Sequence, residues 1–311
     1  MKKTYIFAFS VLCAVSSLFN LAHAADGEKT SYALPFVAIT RDAGQAGMAG
    51  AGSSAGGAFT ALRNPAASAF AGASDVQTAY QSWAPKGSPS TNFNLGGSFA
   101  AGEKVGISVA LGYQKGEAYD LVSTTGAATG QFTPSDLLIG VGAAYAVTPA
   151  VSLGVNAKIA RQSLSDDDSY SSVALDLSAM YKVEDFRISA GTANLLGSIK
   201  DAAGKSFSLP ASAFVAGDWS KALPGGSVCV AADVDYFLKG GVSAAFGAQY
   251  GIKDIVFLRA GYHVGTEGAP IPSYASVGLG ARYAGVGLDF AYLLANDVMG
   301  GSLCVGLSYK F

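Results

Sequence analysis

The chain has 311 residues, of which 14% are charged, 50% are hydrophobic and 40 are glycine, and its formal net charge is −2. The charged fraction is low against about 25% in ordinary soluble domains, and the mean hydropathy of +0.33 leaves much apolar surface to be covered. The small net charge excludes a nucleic-acid partner, because no cluster of Lys and Arg is present to neutralise phosphates.

The N-terminus has the pattern of a secretory signal peptide. Lys2 and Lys3 precede an apolar run from Tyr5 to Leu21, and Ala22-His23-Ala24 supplies the small residues that signal peptidase requires. We predict that residues 1–24 are removed.

The next segment, residues 25–74, shows no strand pattern. Arg41 to Ala73 is almost entirely Ala, Gly and Ser, so it has too little side chain to form a core of its own. We predict that it packs closely against other backbone, for example as a plug inside a barrel. Asn64-Pro65 is expected to fix a turn through an Asx-type hydrogen bond. A flexible periplasmic linker is the alternative.

From Asp75 onward, apolar residues alternate with small or polar ones in short segments separated by turn residues, which is typical of β-strands. Short and long connections alternate between the segments, as periplasmic turns and outer loops do in outer-membrane barrels. Two connections depart from this pattern, because Ser220 to Gly226 is long for a turn and Lys239 to Gly241 is short for an outer loop. The fourteen predicted strands are 75–83, 91–100, 104–114, 136–147, 150–161, 171–182, 185–194, 211–219, 227–238, 242–251, 254–264, 274–284, 286–294 and 302–311.

The charged residues of these strands fall on one face. On strand 286–294, Asp289 lies opposite the face of Leu288 and Phe290. A charge on the lipid face costs about 2–4 kcal/mol at midplane, so this segregation indicates a lumen. The fold class is therefore predicted to be all-β, a transmembrane antiparallel β-barrel of about 14 strands over residues 75–311. The inward charges are Lys158, Asp176, Arg187, Asp233, Asp235, Arg259, Arg282 and Asp289.

Three of the inward charges form a candidate cluster. If strands 227–238 and 254–264 flank the strand between them, Asp233, Asp235 and Arg259 can meet across the lumen and neutralise one another, and they can hold the plug. A purely structural charge network is the alternative to a transport role. We predict that Arg259→Ala would loosen the plug.

The last strand, Ser302 to Phe311, places Leu307, Tyr309 and Phe311 on one face. A barrel must pair its last strand with its first, so a chain that ends on the aromatic residue of such a strand suits an outer-membrane barrel. We interpret Tyr309 and Phe311 as the C-terminal signal for the barrel-assembly machinery, with outer-membrane lipid as the surrounding partner.

Catalysis is not indicated. His263 is the only histidine after the signal peptide, and no nucleophile, metal-ligand or phosphate-loop pattern occurs. Asp166-Asp167-Asp168 is interpreted as a solvated outer loop rather than a calcium site. No catalytic residue, no cofactor and no metal are predicted. Cys229 and Cys304 are expected to be free thiols, and one disulfide bond between them is the alternative.

Both ends of the chain resemble the PorV/PorQ family, whose members are relatives of FadL-type outer-membrane barrels. The similar N-terminal stretch includes Asn64, Pro65 and Ala66, which match the plug motif Asn-Pro-Ala of the wider family. The middle of the chain matches only in strand rhythm. The similar stretches are Arg41–Gly52, Asn64–Ala66, Ala79–Trp83, Leu258–Tyr262, Pro272–Gly280 and Val286–Leu294.

The resemblance implies a fourteen-stranded barrel with an N-terminal plug in the outer membrane of a Bacteroidetes-type Gram-negative bacterium. It further implies a role in type IX protein secretion or surface attachment, with the type IX translocon and cargo proteins that carry C-terminal signal domains as partners. The alternative is a FadL-like channel for small hydrophobic molecules. Lateral exit from such a channel needs a kinked strand, which Gly96-Gly97 would permit.

Overall fold

A computed structural model of the chain describes residues 32–166, 168–201 and 203–311. The predicted signal peptide, residues 1–24, lies outside the described residues. The alternating segments form fourteen antiparallel strands that close into one barrel, which confirms the predicted fold class. No helix in the described part of the chain is long and apolar enough to cross a membrane.

The strands are numbered in chain order. The barrel strands are β1 (Asp75–Trp83), β2 (Ser90–Ala101), β3 (Val105–Gly116), β6 (Ser135–Ala146), β7 (Val151–Ser163), β8 (Ser169–Val183), β9 (Phe186–Leu195), β12 (Ser212–Leu223), β13 (Gly226–Phe237), β14 (Val242–Ile252), β15 (Val256–Gly265), β16 (Tyr274–Tyr283), β17 (Val286–Leu293) and β18 (Ser302–Lys310). Two small hairpins lie outside the wall, β4 (Tyr119–Val122) with β5 (Ala128–Phe132) and β10 (Ser198–Lys200) with β11 (Ser206–Ser208).

The barrel closes where β1 pairs with β18. The register runs from Asp75 opposite Lys310 to Ser82 opposite Leu303. Because the two terminal strands pair along almost their whole length, the wall presents no open edge for another chain to add to.

The two faces of the wall differ in polarity. In β17, Leu288 and Phe290 are 44% and 45% exposed, whereas Asp289 and Ala291 between them are each 2% exposed. Side chains alternate across a strand, so the first pair faces outward and the second faces the lumen. All eight charges predicted to face inward form ion pairs on the inner side of the wall.

The connections at one end of the barrel are short turns, and those at the other end are longer, except that only four residues join β13 to β14. The predicted long turn at Ser220–Gly226 is wrong, because Ala222 still pairs with Ser227 and only Pro224-Gly225 connects β12 to β13. Gly225 has φ +87°, a value that favours glycine. The two hairpins were predicted as loops, since their strands are too short to show alternation.

Residues 32–74 lie inside the barrel and fill its lumen as a plug, rather than hanging below it as a linker. The segment contains short helical turns that contact the inner faces of most of the strands. These turns are Pro35–Ala38, Ala43–Ala46, Ser53–Ala55, Thr60–Leu62 and Pro65–Phe70.

Glycines on the inner face allow the plug backbone to approach the wall. A Cβ added to Gly96 would lie 2.6 Å from the Ala58 carbonyl oxygen, and one added to Gly140 would lie 2.5 Å from the Ala61 carbonyl oxygen. The interpretation of Gly96-Gly97 as a kink is wrong, because β2 pairs with β1 and β3 in continuous register through both residues. Gly96 instead provides room for the plug.

We expect Gly96→Ala to destabilise the plugged barrel by about 1–3 kcal/mol, the usual cost of overpacking. The new methyl group must displace the backbone at Ala58 or the ring of Phe59, 2.7 Å away. The measurement is the free energy of unfolding in lipid vesicles. Gly217→Ala is the matched control, since Gly217 faces outward and the nearest atom to its added Cβ is 3.5 Å away. Equal effects of the two substitutions would contradict the plug contact.

Candidate functional site

The plug runs the length of the lumen. Tyr32 Oη donates to the Gly240 carbonyl oxygen at 2.6 Å, and the Ala33 N–H donates to the Ser208 carbonyl oxygen at 2.9 Å, both at the end with the long loops. At the opposite end the Ser74 N–H donates to the Phe311 carbonyl oxygen at 2.9 Å. The plug therefore separates the two ends of the barrel.

Asn64, Pro65 and Ala66 dock on serines of the wall. Asn64 Nδ2 donates to Ser189 Oγ at 2.9 Å, and the Ala66 N–H donates to Ser178 Oγ at 3.0 Å. Ser152 Oγ donates back to the Ala66 carbonyl oxygen at 2.8 Å. These serines belong to the adjacent strands β7, β8 and β9.

The conformation at this motif differs from the one predicted. Pro65 begins the helical turn, but Asn64 makes no side-chain capping bond, so the expected Asx-type hydrogen bond is wrong. The Asn64 amide instead donates across the lumen to the wall and, at 3.1 Å, to the carbonyl oxygen of Ser53 within the plug.

Two aspartates of β13 also hold the plug. Asp233 accepts the backbone N–H groups of Gly52 at 2.9 Å and of Ser53 at 3.2 Å. Asp235 forms an ion pair with Arg63 at 2.8 Å, and Asp233 lies 3.7 Å from the same guanidinium. The cation that neutralises these carboxylates therefore comes from the plug.

The predicted cluster of Asp233, Asp235 and Arg259 is wrong, because Arg259 does not pair with these two aspartates. Arg259 Nη1 pairs with Asp289 at 2.6 Å. Asp233 lies at the same level as His263 across β14. Arg259 is four residues from His263 along β15, so the levels of Asp233 and Arg259 differ by about 13 Å at the usual rise per residue. Arg282 also pairs with Asp289, at 2.5 Å. Since Arg63, and not Arg259, pairs with the aspartates of β13, we expect Arg63→Ala to loosen the plug.

A buried ion pair lies beside an irregularity in the wall. Lys158 Nζ is 2.7 Å from Asp176 Oδ1, and their side chains are 2% and 0% exposed. The register between β8 and β9 shifts here, because the three-residue step from Thr192 to Leu195 in β9 lies opposite a two-residue step in β8. Asn194 in the bulge has φ +57°, and its N–H donates to Asp176 at 2.8 Å. Its Oδ1 accepts from Lys158 Nζ at 2.6 Å.

Three cavities lie in series along the described part of the lumen. The outer cavity, about 480 Å³, lies among the long loops; the middle cavity, about 90 Å³, lies between the plug and β9 to β15; the inner cavity, about 530 Å³, opens at the turn end. Ile39 and Ile271 line both the outer and the middle cavity. Asp42 and Gln45 line both the middle and the inner cavity.

The middle cavity is lined by both charged and apolar groups. His263 stacks on Tyr274 with 5.1 Å between ring centroids and lines this cavity with Arg63 and the two aspartates of β13. Arg41 also lines it and donates to Asn94 Oδ1 and to the Phe36 carbonyl oxygen, each at 2.9 Å. Burial lowers the pKa of Arg41 to about 10, so this guanidinium is charged at neutral pH.

The predicted C-terminal signal and the two buried cysteines do not line the three cavities. Tyr309 and Phe311 are exposed at the turn end, where their rings stack with centroids 5.6 Å apart; their role in barrel assembly stays a prediction. Cys229 and Cys304 are free and buried. Asp167 of the triple aspartate lies outside the described residues, and within the described ranges no group of three or more His, Cys, Asp or Glu residues is arranged to hold a metal ion.

Sequence reasoning missed several residues of this site. Neither Arg63 nor Asn194 is among the predicted site residues. The signal for Arg63 is its place directly before Asn64-Pro65, because a cation in a segment otherwise made of Ala, Gly and Ser needs a carboxylate partner in the wall.

The fold is a closed fourteen-stranded β-barrel with a plug in its lumen, and it is similar to the fold of FadL-like barrels. The toluene transporter TbuX of Ralstonia pickettii is similar in structure, with 13% identity, a TM-score of 0.57 and coverage of 86% of this chain and 96% of that one. The toluene transporter TodX of P. putida has 12% identity, a TM-score of 0.58 and coverage of 82% of this chain and 94% of that one. A Pseudomonas aeruginosa FadL homologue has 12% identity, a TM-score of 0.54 and coverage of 88% of this chain and 97% of that one. No family model matches the chain, and no curated protein matches it in sequence. The resemblance to PorV/PorQ thus stays a prediction.

Proposed function

We propose that this protein is an outer-membrane channel for small apolar molecules. The observation that carries the proposal is the series of three cavities, whose shared lining residues mark a path past the plug from the loop end to the turn end. The proposal is supported by neighbours of the same fold that are described as toluene transporters and a monoaromatic hydrocarbon channel.

The narrow point between the outer and middle cavities is apolar. Ile39 and Ile271 are each 7% exposed and belong to one buried cluster with Phe36 and Leu138. An apolar constriction excludes ions, because they must shed their hydration shell, and it admits apolar solutes. This selectivity suits a channel for apolar molecules in a membrane that must stay closed to ions.

The path is closed at its centre. A volume of about 90 Å³ holds about three waters, and an engineered cavity that binds benzene has about 150 Å³. Passage of a solute as large as toluene therefore requires the plug to shift. The bulge at Asn194, which also lines the middle cavity, is a candidate for lateral exit through the wall.

The test is uptake of radiolabelled toluene by Gram-negative cells that lack other channels of this fold, so that lipopolysaccharide is the barrier. We expect the protein to increase uptake, Ile39→Ala to increase it several-fold further by widening the constriction, and Ile39→Trp to abolish the increase. Val122→Ala, on an exposed hairpin residue, is the control. Uptake that is the same with and without the protein would contradict the proposal.

A second candidate is export or surface attachment of cargo with the type IX machinery in a Bacteroidetes-type bacterium. It is supported by the sequence resemblance and by the two hairpins, β4–β5 and β10–β11, which lie in connections at the loop end and offer strands for docking. Affinity purification from the native outer membrane tests it. Recovery of the translocon barrel or of proteins with type IX C-terminal signal domains supports this role, and their absence from a stable preparation counts against it.

A further inference from the structure

The outer cavity has an unusual chemical lining. Trp83, Phe36 and Leu164 contribute apolar surface. Among the described residues of the lining, Glu117 and Asp136 are the only ionisable groups, so this lining has two carboxylates and no cation. Six prolines also line it, and prolines have no N–H to donate. These prolines are Pro35, Pro85, Pro89, Pro134, Pro270 and Pro272.

Asp136 is the buried anion of this cavity. It is 8% exposed, and its Oδ1 accepts from Gln162 Nε2 at 2.8 Å. No other hydrogen bond to this carboxylate is present among the described residues, so Oδ2 is available to a ligand. Arg41 is the nearby cation, but it is 3% exposed, engaged by Asn94 and Phe36, and not part of the cavity lining.

Two further polar groups of the lining have no partner among the described residues. Ser90 is 9% exposed, and its hydroxyl makes no hydrogen bond. Gln114 Oε1 also lacks a donor. A buried polar group without a partner costs about 1–3 kcal/mol, so these groups, together with Asp136, point to a ligand with hydrogen-bond donors.

We propose that the outer cavity binds small aromatic or aliphatic molecules that carry a protonated amine, with Asp136 as the partner of the amine. The apolar part of the ligand would pack on the prolines, on Phe36 and on Trp83. The inference rests on the proposed function only in that the outer cavity is the mouth of the same lumen. A protonated amine would be held there, because the apolar constriction at Ile39 and Ile271 excludes ions.

The same lining disfavours carboxylates. A carboxylate in this cavity would meet two like charges in a partly desolvated space and would find few backbone N–H groups to solvate it. The cavity thus selects its ligands by repulsion as well as by attraction. A volume of about 480 Å³ is within the usual range of small-molecule sites.

The experiment uses Trp83 as the reporter. Trp83 and Trp219 are the two tryptophans of the chain, and Trp219 lies on the wall beside Phe186, so Trp219→Phe leaves a single fluorophore in the cavity. The variant is placed in phosphatidylcholine nanodiscs and titrated with phenylethylamine, phenylethanol, ethylbenzene and phenylacetate, which share one ring and differ in head group.

We expect phenylethylamine to bind about tenfold more tightly than phenylethanol, the size of one charge-assisted hydrogen bond, and phenylacetate to bind most weakly. Asp136→Asn should remove the preference for the amine and leave the binding of ethylbenzene unchanged. Asp120→Asn, on the exposed β4–β5 hairpin, is the matched control. Trp83→Phe, which retains Trp219, reports partition of each compound into the lipid.

Each outcome decides the inference. Equal binding of phenylethylamine and phenylacetate, or an amine preference that persists in Asp136→Asn, would overturn it. If all four compounds bound with the same affinity, ethylbenzene included, the amine preference alone would be overturned and the channel proposal would stand. Ordered binding without toluene uptake by cells would support the amine site and contradict the channel.

Discussion

Replacing Asp176 by alanine is expected to destabilise the barrel by about 3–5 kcal/mol, the cost of removing one partner from a buried ion pair. The change leaves the Lys158 ammonium, 2% exposed, without its carboxylate. It also removes the acceptor for the Asn194 N–H in the bulge and one for Asn156 Nδ2. The measurement is the free energy of unfolding in lipid vesicles, followed by tryptophan fluorescence.

A double substitution separates the charge from the packing. Lys158→Met with Asp176→Asn removes both charges and keeps an acceptor for the Asn194 N–H, so it should recover most of the lost stability. Asp120→Ala, an exposed aspartate of the β4–β5 hairpin, should change the free energy of unfolding by less than about 0.5 kcal/mol. If Asp176→Ala and Asp120→Ala cost the same, the buried pair does not stabilise the barrel.

The strands of this barrel could be predicted because the alternation of apolar and polar residues is visible within each strand alone. Alternation of Leu288 and Phe290 with Asp289 shows the face of a strand without reference to any other strand, and the facing of the inner charges follows from it. The same locality explains the weak points. The β4–β5 hairpin has strands of four and five residues, too short for a period of two to be recognised.

The partners of the charges could not be predicted, because they depend on distant parts of the chain. Arg259 and Asp233 both face the lumen, but their levels differ by four residues across β14. Arg63 reaches Asp235 across 172 residues of sequence, and only the path of the plug brings them together. The same dependence explains why Asp176, Lys158 and Asn194 meet at a bulge that neither strand shows by itself.

The plug itself was predictable in composition but not in conformation. Small residues indicated close backbone packing, which Gly96 and Gly140 in the wall now explain. The helical turns of the plug are three to six residues long, and their sequence has no apolar period that could indicate them. Their conformation is selected by the wall, through contacts such as that of Ala66 with Ser178.

The double substitution Asp233→Ala with Asp235→Ala is expected to open the lumen of the barrel to ions. It removes the acceptors for the N–H groups of Gly52 and Ser53 and leaves the Arg63 guanidinium without a carboxylate. Each hydrogen bond to a charged group contributes about 1.5–3 kcal/mol. Loss of three such bonds should raise the population of the displaced plug more than about a hundredfold. The measurement is single-channel conductance in planar lipid bilayers.

The increase in conductance should depend on how many hydrogen bonds between the wall and the plug are removed. Arg63→Ala should increase conductance less than the double substitution, because Asp233 still accepts both backbone N–H groups. Arg282→Ala is the matched control, since among the described residues Arg282 donates only to residues of the wall, and it should leave the lumen closed. Were the double variant as closed as Arg282→Ala, the close packing of the plug on the wall glycines, rather than the carboxylates of β13, would be what retains the plug.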